Sequence, residues 1–375
     1  MIADTTGTVI IGAGPAGLAV AACLRRADAP FIVLEEGDSV GSRWRSRYER
    51  LRLHTAKEYS GLPYLPFPKH LPRYPLRDHV VAYLELYRNH FGIDPHFGER
   101  VTSLARDDGG WVVATDRTTT YRARNVVICT GRSDLPYRPR WAGEDTFTGS
   151  VIHSAEYRSG RPFAGRRVLV VGLGNSGGEI AIDLVEHGAA AVAIAVRSPV
   201  NIVPRDFLGQ PIQRSTILLS FLPVVFRDRT GRIISRVVFG DLHALGLPRA
   251  DEGPVSQILN RGRIPLIDIG TVALVRAGKI ALRANVERFA GDRVRFVDGV
   301  EEGFDAVILA TGYRAGASAL VANFGVATDR GGSPDRFADA PGLYFVGFKT
   351  PPTGHLRQIA IDAKRVAREI DGRPS

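Results

Sequence analysis

The chain has 375 residues, enough for two domains with filled cores, and its 44% hydrophobic and 23% charged content is that of a globular protein. The net charge of +10 raises nucleic acid as a partner, but the arginines behind it are scattered and no basic run is interleaved with stacking aromatics, so nucleic acid is set aside. Two cysteines, Cys23 and Cys129, form no Cys-x-x-Cys pair, disulfide framework or metal site. The first strand begins within eight residues, and the longest apolar stretch, Ile217 to Phe226, is too short to span a bilayer and contains Pro223, so a cytoplasmic protein with no membrane partner is expected.

The chain is organised around its first forty residues. Val9, Ile10 and Ile11 form a short β-branched run that reads as a buried parallel strand. Gly12-x-Gly14-Pro15-Ala16-Gly17 comes next, the turn in which one glycine bends, one admits a pyrophosphate and one lets the next helix close on the strand. That helix, roughly Pro15 to Arg26, points its N-terminus at the phosphates. A second strand, Phe31 to Leu34, then ends in Glu35-Glu36, where an acid grips a ribose hydroxyl. Strand, glycines, helix, strand and acid in that order predict a site for FAD or NAD.

Arg43 and Trp44 fall in the loop expected to pass over the dinucleotide, and Leu51 to Thr55 carries His54. Prolines 63, 66, 68, 72 and 75 exclude regular structure there. Val80, Val81, Leu84, Tyr87 and Phe91 mark a packing helix. Alternating runs between Val101 and Val127 predict a small antiparallel sheet, and the apolar strand from Val126 ends at Thr130-Gly131, where a cofactor can pass close to the backbone. Residues 133 to 150 read as a connector.

A second fingerprint opens after Val168 to Val171 with Gly172, Gly174, Asn175, Ser176 and Gly177, leading into a helix striped by Ile180, Ile182, Leu184 and Val185. Its next strand, Val192 to Val196, ends in Arg197-Ser198 with no acid. An arginine at this point pairs with a ribose 2′-phosphate, which predicts NADPH. Two such sites in one chain imply electron transfer between two dinucleotides. In residues 200 to 262 the run Leu218 to Phe226 predicts an apolar helix or helices, covering the nicotinamide or lining a substrate pocket. Ala310-Thr311-Gly312 repeats the pattern of Cys129-Thr130-Gly131, and another buried strand ends at Gly347. The last helix begins at Thr353-Gly354-His355, and its positive end suits the electron-rich part of a reduced flavin.

Between the fingerprints, Phe147-x-Gly149-x-x-x-His153-x-x-x-Tyr157 resembles the signature of the flavin-containing monooxygenases. Leu51 to His54, Tyr74-Pro75, Arg197 to Val200, Pro204 to Gly209 and Leu266 to Gly270 look like the YUCCA branch, the indole-3-pyruvate monooxygenases. Tyr157 stands where the Baeyer-Villiger relatives have tryptophan. The resemblance implies an α/β fold of two Rossmann-like dinucleotide-binding domains with small antiparallel sheets, the NADP domain inserted in the FAD domain. The FAD domain would hold residues 1–145 and 296–375, and the NADPH domain 146–295 with a helical insert at about 205–262. It implies FAD and NADPH as cofactors, a small-molecule substrate, O2, and chemistry through a C4a-(hydro)peroxyflavin. The reaction expected is oxidative decarboxylation of an aryl 2-oxo acid such as indole-3-pyruvate; the alternatives are N- or S-oxygenation of a small amine or sulfide, and an NADPH/FAD-binding redox sensor without turnover. His54 is the one candidate side chain for catalysis, beside the flavin. Animal-type members carry asparagine there, so the asparagine's role does not transfer to it. His153 is implied to link domains or contact NADP.

Overall fold

The computed structural model describes residues 2–247, 250–329, 331–334 and 337–372. The chain folds into two compact units. The first comprises residues up to Ser46, Thr55–Leu135 and Tyr313 onwards, and the second Arg47–His54 and Pro136–Gly312.

In the first unit, β1 (Ile2–Ile11) runs into α1 (Pro15–Arg26), then β2 (Phe31–Glu35). Proline at the first helical position and Arg25 and Arg26 in the last turn suit α1 to its ends. α2 (Arg77–His90) buries Val80, Val81, Tyr83, Leu84 and Tyr87. Its tyrosines do more than pack: Tyr83 Oη donates to the Leu65 carbonyl at 2.6 Å and accepts from Leu62 N at 2.8 Å, while Tyr87 Oη donates to the Pro63 carbonyl at 2.7 Å. These bonds tie down the proline-rich segment, which makes no ladder of its own beyond a bridge of Leu62 with Leu65. After β3 (His96–Phe97) come β4 (Val101–Asp107), β5 (Gly110–Thr115) and β6 (Thr120–Ile128), an antiparallel meander.

The chain then builds the second unit from β7 (Ser150–His153), β8 (Arg167–Val171), α3 (Asn175–Glu186) and β9 (Ala191–Ala195). The insert contributes α4 (Ile212–Leu218), α5 (Val224–Phe239) and α6 (Pro254–Arg261), ending in β10 (Leu266–Asp268). The apolar run from Leu218 is thus two helices, broken over residues 219–223, where Pro223 caps α5. β11 (Ala281–Arg283) and β12 (Ala306–Leu309) complete a parallel five-stranded sheet in the order β11-β9-β8-β12-β7. Along β8, Val168 and Val170 enter one core cluster and Leu169 and Val171 another, so the strand is apolar throughout because both faces are covered.

Returning to the first unit, β13 (Leu343–Phe345) pairs in parallel with the end of β6, giving the order β13-β6-β1-β2-β3. α7 (His355–Asp371) buries Leu356, Ile359, Ala363, Val366 and Ala367 and packs on α1. Each unit is therefore an α/β layer structure whose parallel strands end beside a glycine turn. No helix among the described residues is long and apolar enough to cross a membrane.

Candidate functional sites at the two glycine turns

At the first turn Gly12 takes φ +104° and donates its N–H to the Leu34 carbonyl at 2.7 Å. A side chain there would sit 2.9 Å from the Cys129 carbonyl, and one at Gly17 would sit 1.8 Å from the Gly12 carbonyl. Both positions are closed to anything but glycine. Gly14, by contrast, has nothing within 4 Å of where a Cβ would point, and it is the N-cap of α1 with no side chain capping the helix. Free N–H groups of a first helical turn, facing open space, make an anion site. Pro15 and Ala16 begin that helix, and Thr130 Oγ1 is buried without a partner. Gly131 has φ +78° and open space, and Gly347 has φ +90° with room limited by Ala16.

Glu35 is 5% exposed and holds this turn together. Its Oε2 accepts from Ala13 N at 2.6 Å; its Oε1 accepts from Gly37 N at 3.0 Å and Ser42 Oγ at 2.8 Å. Oε2 keeps a lone pair for a further donor. Glu36, Gly37, Ser42, Arg43, Ser46, Arg100 and Asp116 line an open cavity alongside, in which Arg43 bridges Glu36 at 2.7 Å and also meets Asp134. Trp44 lies half-buried in the same short helix. At the start of α7, His355 Nδ1 lies 3.1 Å from both Thr350 Oγ1 and the Lys349 carbonyl, and burial pulls its pKa down to about 4.

The second turn repeats the first. Gly172 has φ +110° and a Cβ there would meet the Ala310 carbonyl at 2.7 Å; one at Gly177 would lie 1.9 Å from the Gly172 carbonyl; Gly174 is open and caps α3. The Ala310-Thr311-Gly312 segment thus occupies the place that Cys129-Thr130-Gly131 has in the first unit, except that Thr311 Oγ1 donates to the Tyr137 carbonyl at 2.5 Å. Asn175 stitches the helix start to β10, accepting from Ile267 N at 2.8 Å and donating to the Pro265 carbonyl at 3.3 Å. Past β9 no carboxylate answers Glu35. Arg197 is exposed, and Ser198 Oγ accepts from the Arg263 guanidinium at 2.8 Å. Partial burial and the neighbouring Arg197 and Arg261 push the Arg263 pKa below its ordinary value. Arg261 bridges Glu252, while none of the described ion pairs involves Arg197 or Arg263.

Known proteins share this arrangement. The family described as pyridine nucleotide-disulphide oxidoreductase matches residues 9–207. The indole-3-pyruvate monooxygenase YUCCA1 of Oryza sativa is 40% identical over 97% of this chain and 91% of its own, and the probable indole-3-pyruvate monooxygenase YUCCA1 of Arabidopsis thaliana is 38% identical over 97% and 89%. The chain belongs to the YUCCA flavin monooxygenase family. Among solved structures, a flavin-containing monooxygenase from Stenotrophomonas maltophilia shares the fold with a TM-score of 0.74, covering 99% of each chain at 23% identity. As a YUCCA-family chain the protein is an enzyme of the flavin monooxygenase class. The disulfide chemistry in the broader family's name has no dithiol here, since Cys23 and Cys129 are both buried, and burial raises the Cys23 thiol to about 11 and pushes Cys129 up as well.

In this family member the four signature residues all bind inside the second unit. Phe147 meets Phe289 edge-on at 5.2 Å, and a side chain at Gly149 would strike the Phe147 ring at 2.6 Å. Tyr157 Oη donates to Asp183 Oδ2 at 2.6 Å, the oxygen that also accepts from Gly160 N at 2.8 Å. His153, 1% exposed, accepts at Nδ1 from Ala155 N at 3.1 Å; its Nε2–H therefore donates to the Gly312 carbonyl, 3.1 Å away. Burial lowers its pKa, so the neutral ring is the resident form. His54 also belongs to the second unit, where its Nε2 meets the Glu179 carboxylate on α3. Glu179 is 1% exposed and leaves Oε2 buried without a partner; burial first, and then the Glu179 carboxylate, hold the Tyr48 hydroxyl pKa well above its ordinary value. Glu179, Asp183, Arg132 and Arg263 carry no mark in the sequence that singles them out. The two acids sit one turn apart in the fingerprint helix, a spacing that marks a buried face once the helix direction is known.

Proposed function

We propose that the protein is an NADPH- and O2-dependent FAD monooxygenase that oxidatively decarboxylates an aryl 2-oxo acid of the indole-3-pyruvate type. The observation that carries this reading is the near-full-length identity to indole-3-pyruvate monooxygenases. The first turn fits a flavin dinucleotide. Gly14, Pro15, Ala16 and the open α1 N-terminus would take the pyrophosphate, the spare lone pair of Glu35 a ribose hydroxyl, Arg43 and Glu36 the rim, and the unpartnered Thr130 hydroxyl with Gly131 and Gly347 the approach of the ring system. The second turn fits NADPH, with the pyrophosphate at Gly174, Asn175 and Ser176 and the 2′-phosphate between Arg197, Ser198 and Arg263.

Bound flavin supplies the two-electron and oxygen chemistry. The chain's own residues bind and orient. The α7 N-terminus and its neutral His355 offer a positive helix end without a titrating proton. Arg132, donating to Thr350 Oγ1 at 2.9 Å next to Gly131, adds a half-buried cation that suits an acid substrate. His54 is fixed by Glu179, which makes it a positioned side chain for the reaction.

Incubation with FAD, NADPH and 18O2 tests the reading. Indole-3-pyruvate or phenylpyruvate should be converted to the arylacetic acid carrying one labelled oxygen, with one CO2 released and one NADPH and one O2 consumed. Label in trimethylamine N-oxide but in no arylacetate would replace the substrate class. No substrate-coupled oxygen uptake or NADPH oxidation with indole-3-pyruvate, phenylpyruvate or trimethylamine would reduce the protein to a cofactor-binding sensor.

A further inference from the structure

The apolar side chains beyond α4 do not enter a core. Phe221 is 81% exposed, Val225 75%, Val237 69%, Phe226 59% and Ile233 55%. The rotation of α5 is set from its other side: Asp228, 8% exposed, accepts from Val255 N at 2.7 Å and Ser256 N at 3.2 Å, Gly231 sits against Pro254, and Ile234 and Phe239 are buried. Positions 225, 229, 232, 233, 236 and 237, spaced by three and four, then share the solvent face. Arg229, Arg232 and Arg236 stand on that face beside the apolar side chains; Arg232 also donates to the Asp251 carbonyl, and none of the described ion pairs uses the three. From Phe207 to Gly240 the chain holds five arginines and a single acid, the buried Asp228.

We propose that α5 and the Phe221 turn form an interfacial element that docks on an anionic phospholipid surface. An exposed apolar row flanked by arginines is the pattern of a helix lying in the headgroup plane, with the hydrocarbon side chains entering the acyl boundary and the guanidiniums at lipid phosphates. Such a helix needs no run long enough to span a bilayer, because its apolar positions are spaced rather than consecutive. The charge distribution argues against a second copy as occupant, since a two-fold contact through this face would set one arginine row against the other. It also argues for anionic over zwitterionic lipid. Each arginine near a charged bilayer contributes enough to matter, and three together make binding depend on surface charge and salt.

Flotation of the FAD-loaded 375-residue chain with vesicles tests the assignment. Binding is expected to vesicles of phosphatidylcholine with phosphatidylglycerol, to be absent with phosphatidylcholine alone, and to weaken about tenfold or more as salt is raised well above physiological strength. The double variant Phe221→Ser, Phe226→Ser and, separately, the triple variant Arg229→Gln, Arg232→Gln, Arg236→Gln should each abolish flotation, the triple lowering affinity roughly a hundredfold. All five side chains are exposed, and unchanged thermal melting would confirm that the variants fold. Sedimentation velocity is run in parallel. Failure to float with anionic vesicles, equal flotation with phosphatidylcholine, or retention by the phenylalanine variant would overturn the assignment. A dimer that the phenylalanine variant dissolves, without vesicle binding, would identify a second copy as the occupant instead.

Discussion

The two glycine turns are nearly the same object built twice. In each, a strand enters, the first glycine takes a φ near the same positive value, and the third glycine sits under 2 Å from the first one's carbonyl if a Cβ is added. They part company one strand later. The first turn is closed by Glu35, a buried carboxylate that already takes three protein donors; the second is left open beside two cations, Arg197 and Arg263, that no carboxylate neutralises among the described residues. The contrast separates two jobs. On the reading proposed above, the glycines set where a pyrophosphate would lie, and the side chains just past the second strand would decide which nucleotide stays.

The contrast is broken most severely at the third glycine. Gly17→Ala and Gly177→Ala each force a Cβ into a backbone carbonyl and should cost about 3 kcal/mol or more of stability, read as a fall in the urea midpoint. Gly14→Ala, pointing into open space, should change stability by less than about 0.5 kcal/mol yet leave the purified protein depleted of flavin. A Gly14→Ala protein that stays yellow would separate that turn from the flavin. Next in size, Glu35→Gln disturbs three hydrogen bonds at a buried carboxylate, and a loss of about 2–4 kcal/mol together with weaker FAD retention is expected. Equal stability would mean that the acid serves the nucleotide alone.

At the open turn, Arg197→Ala should raise the dissociation constant of 2′,5′-ADP about 10–100-fold in calorimetry and leave that of 5′-ADP unchanged. Arg263→Ala should do the same to a lesser degree, about threefold to tenfold. An unaltered ratio for both would remove the pair from the 2′-phosphate. The smallest effect is on pH. His153 and His355 both have folded pKa values below the unfolded 6.5, so their neutral forms contribute stability that is full above that pH and lost as pH falls through the range from 6.5 towards 4. The urea midpoint should drop between pH 7 and pH 5, and less so in His355→Asn; a flat profile would contradict the burial of both rings.

The fingerprints are legible in the sequence because their requirements are local. Gly12 to Gly17 and Gly172 to Gly177 satisfy steric rules within a few residues, and the strands and helices around them are apolar in the right periods. Other residues are opaque because their partners are remote. Nothing near Tyr157 announces Asp183, nothing near His153 announces Gly312, and Arg263 reaches Ser198 from a loop beyond α6. The residues from Leu218 to Phe226 are recognisable as apolar helix formers, but composition carries no information on direction, and Pro223 and the Asp228 anchor turn much of that run outward. His54 likewise announces a polar contact without saying with what; the answer, Glu179, lies in the second fingerprint helix.

A catalyst that reduces dioxygen must live beside its own leakage products, and the sulfur inventory of this chain is arranged for that. It has one methionine, at its first position, and two thiols, both sealed in apolar surroundings that keep them protonated. Hydrogen peroxide escaping from an uncoupled turnover would therefore find no thiolate to oxidise among the described residues.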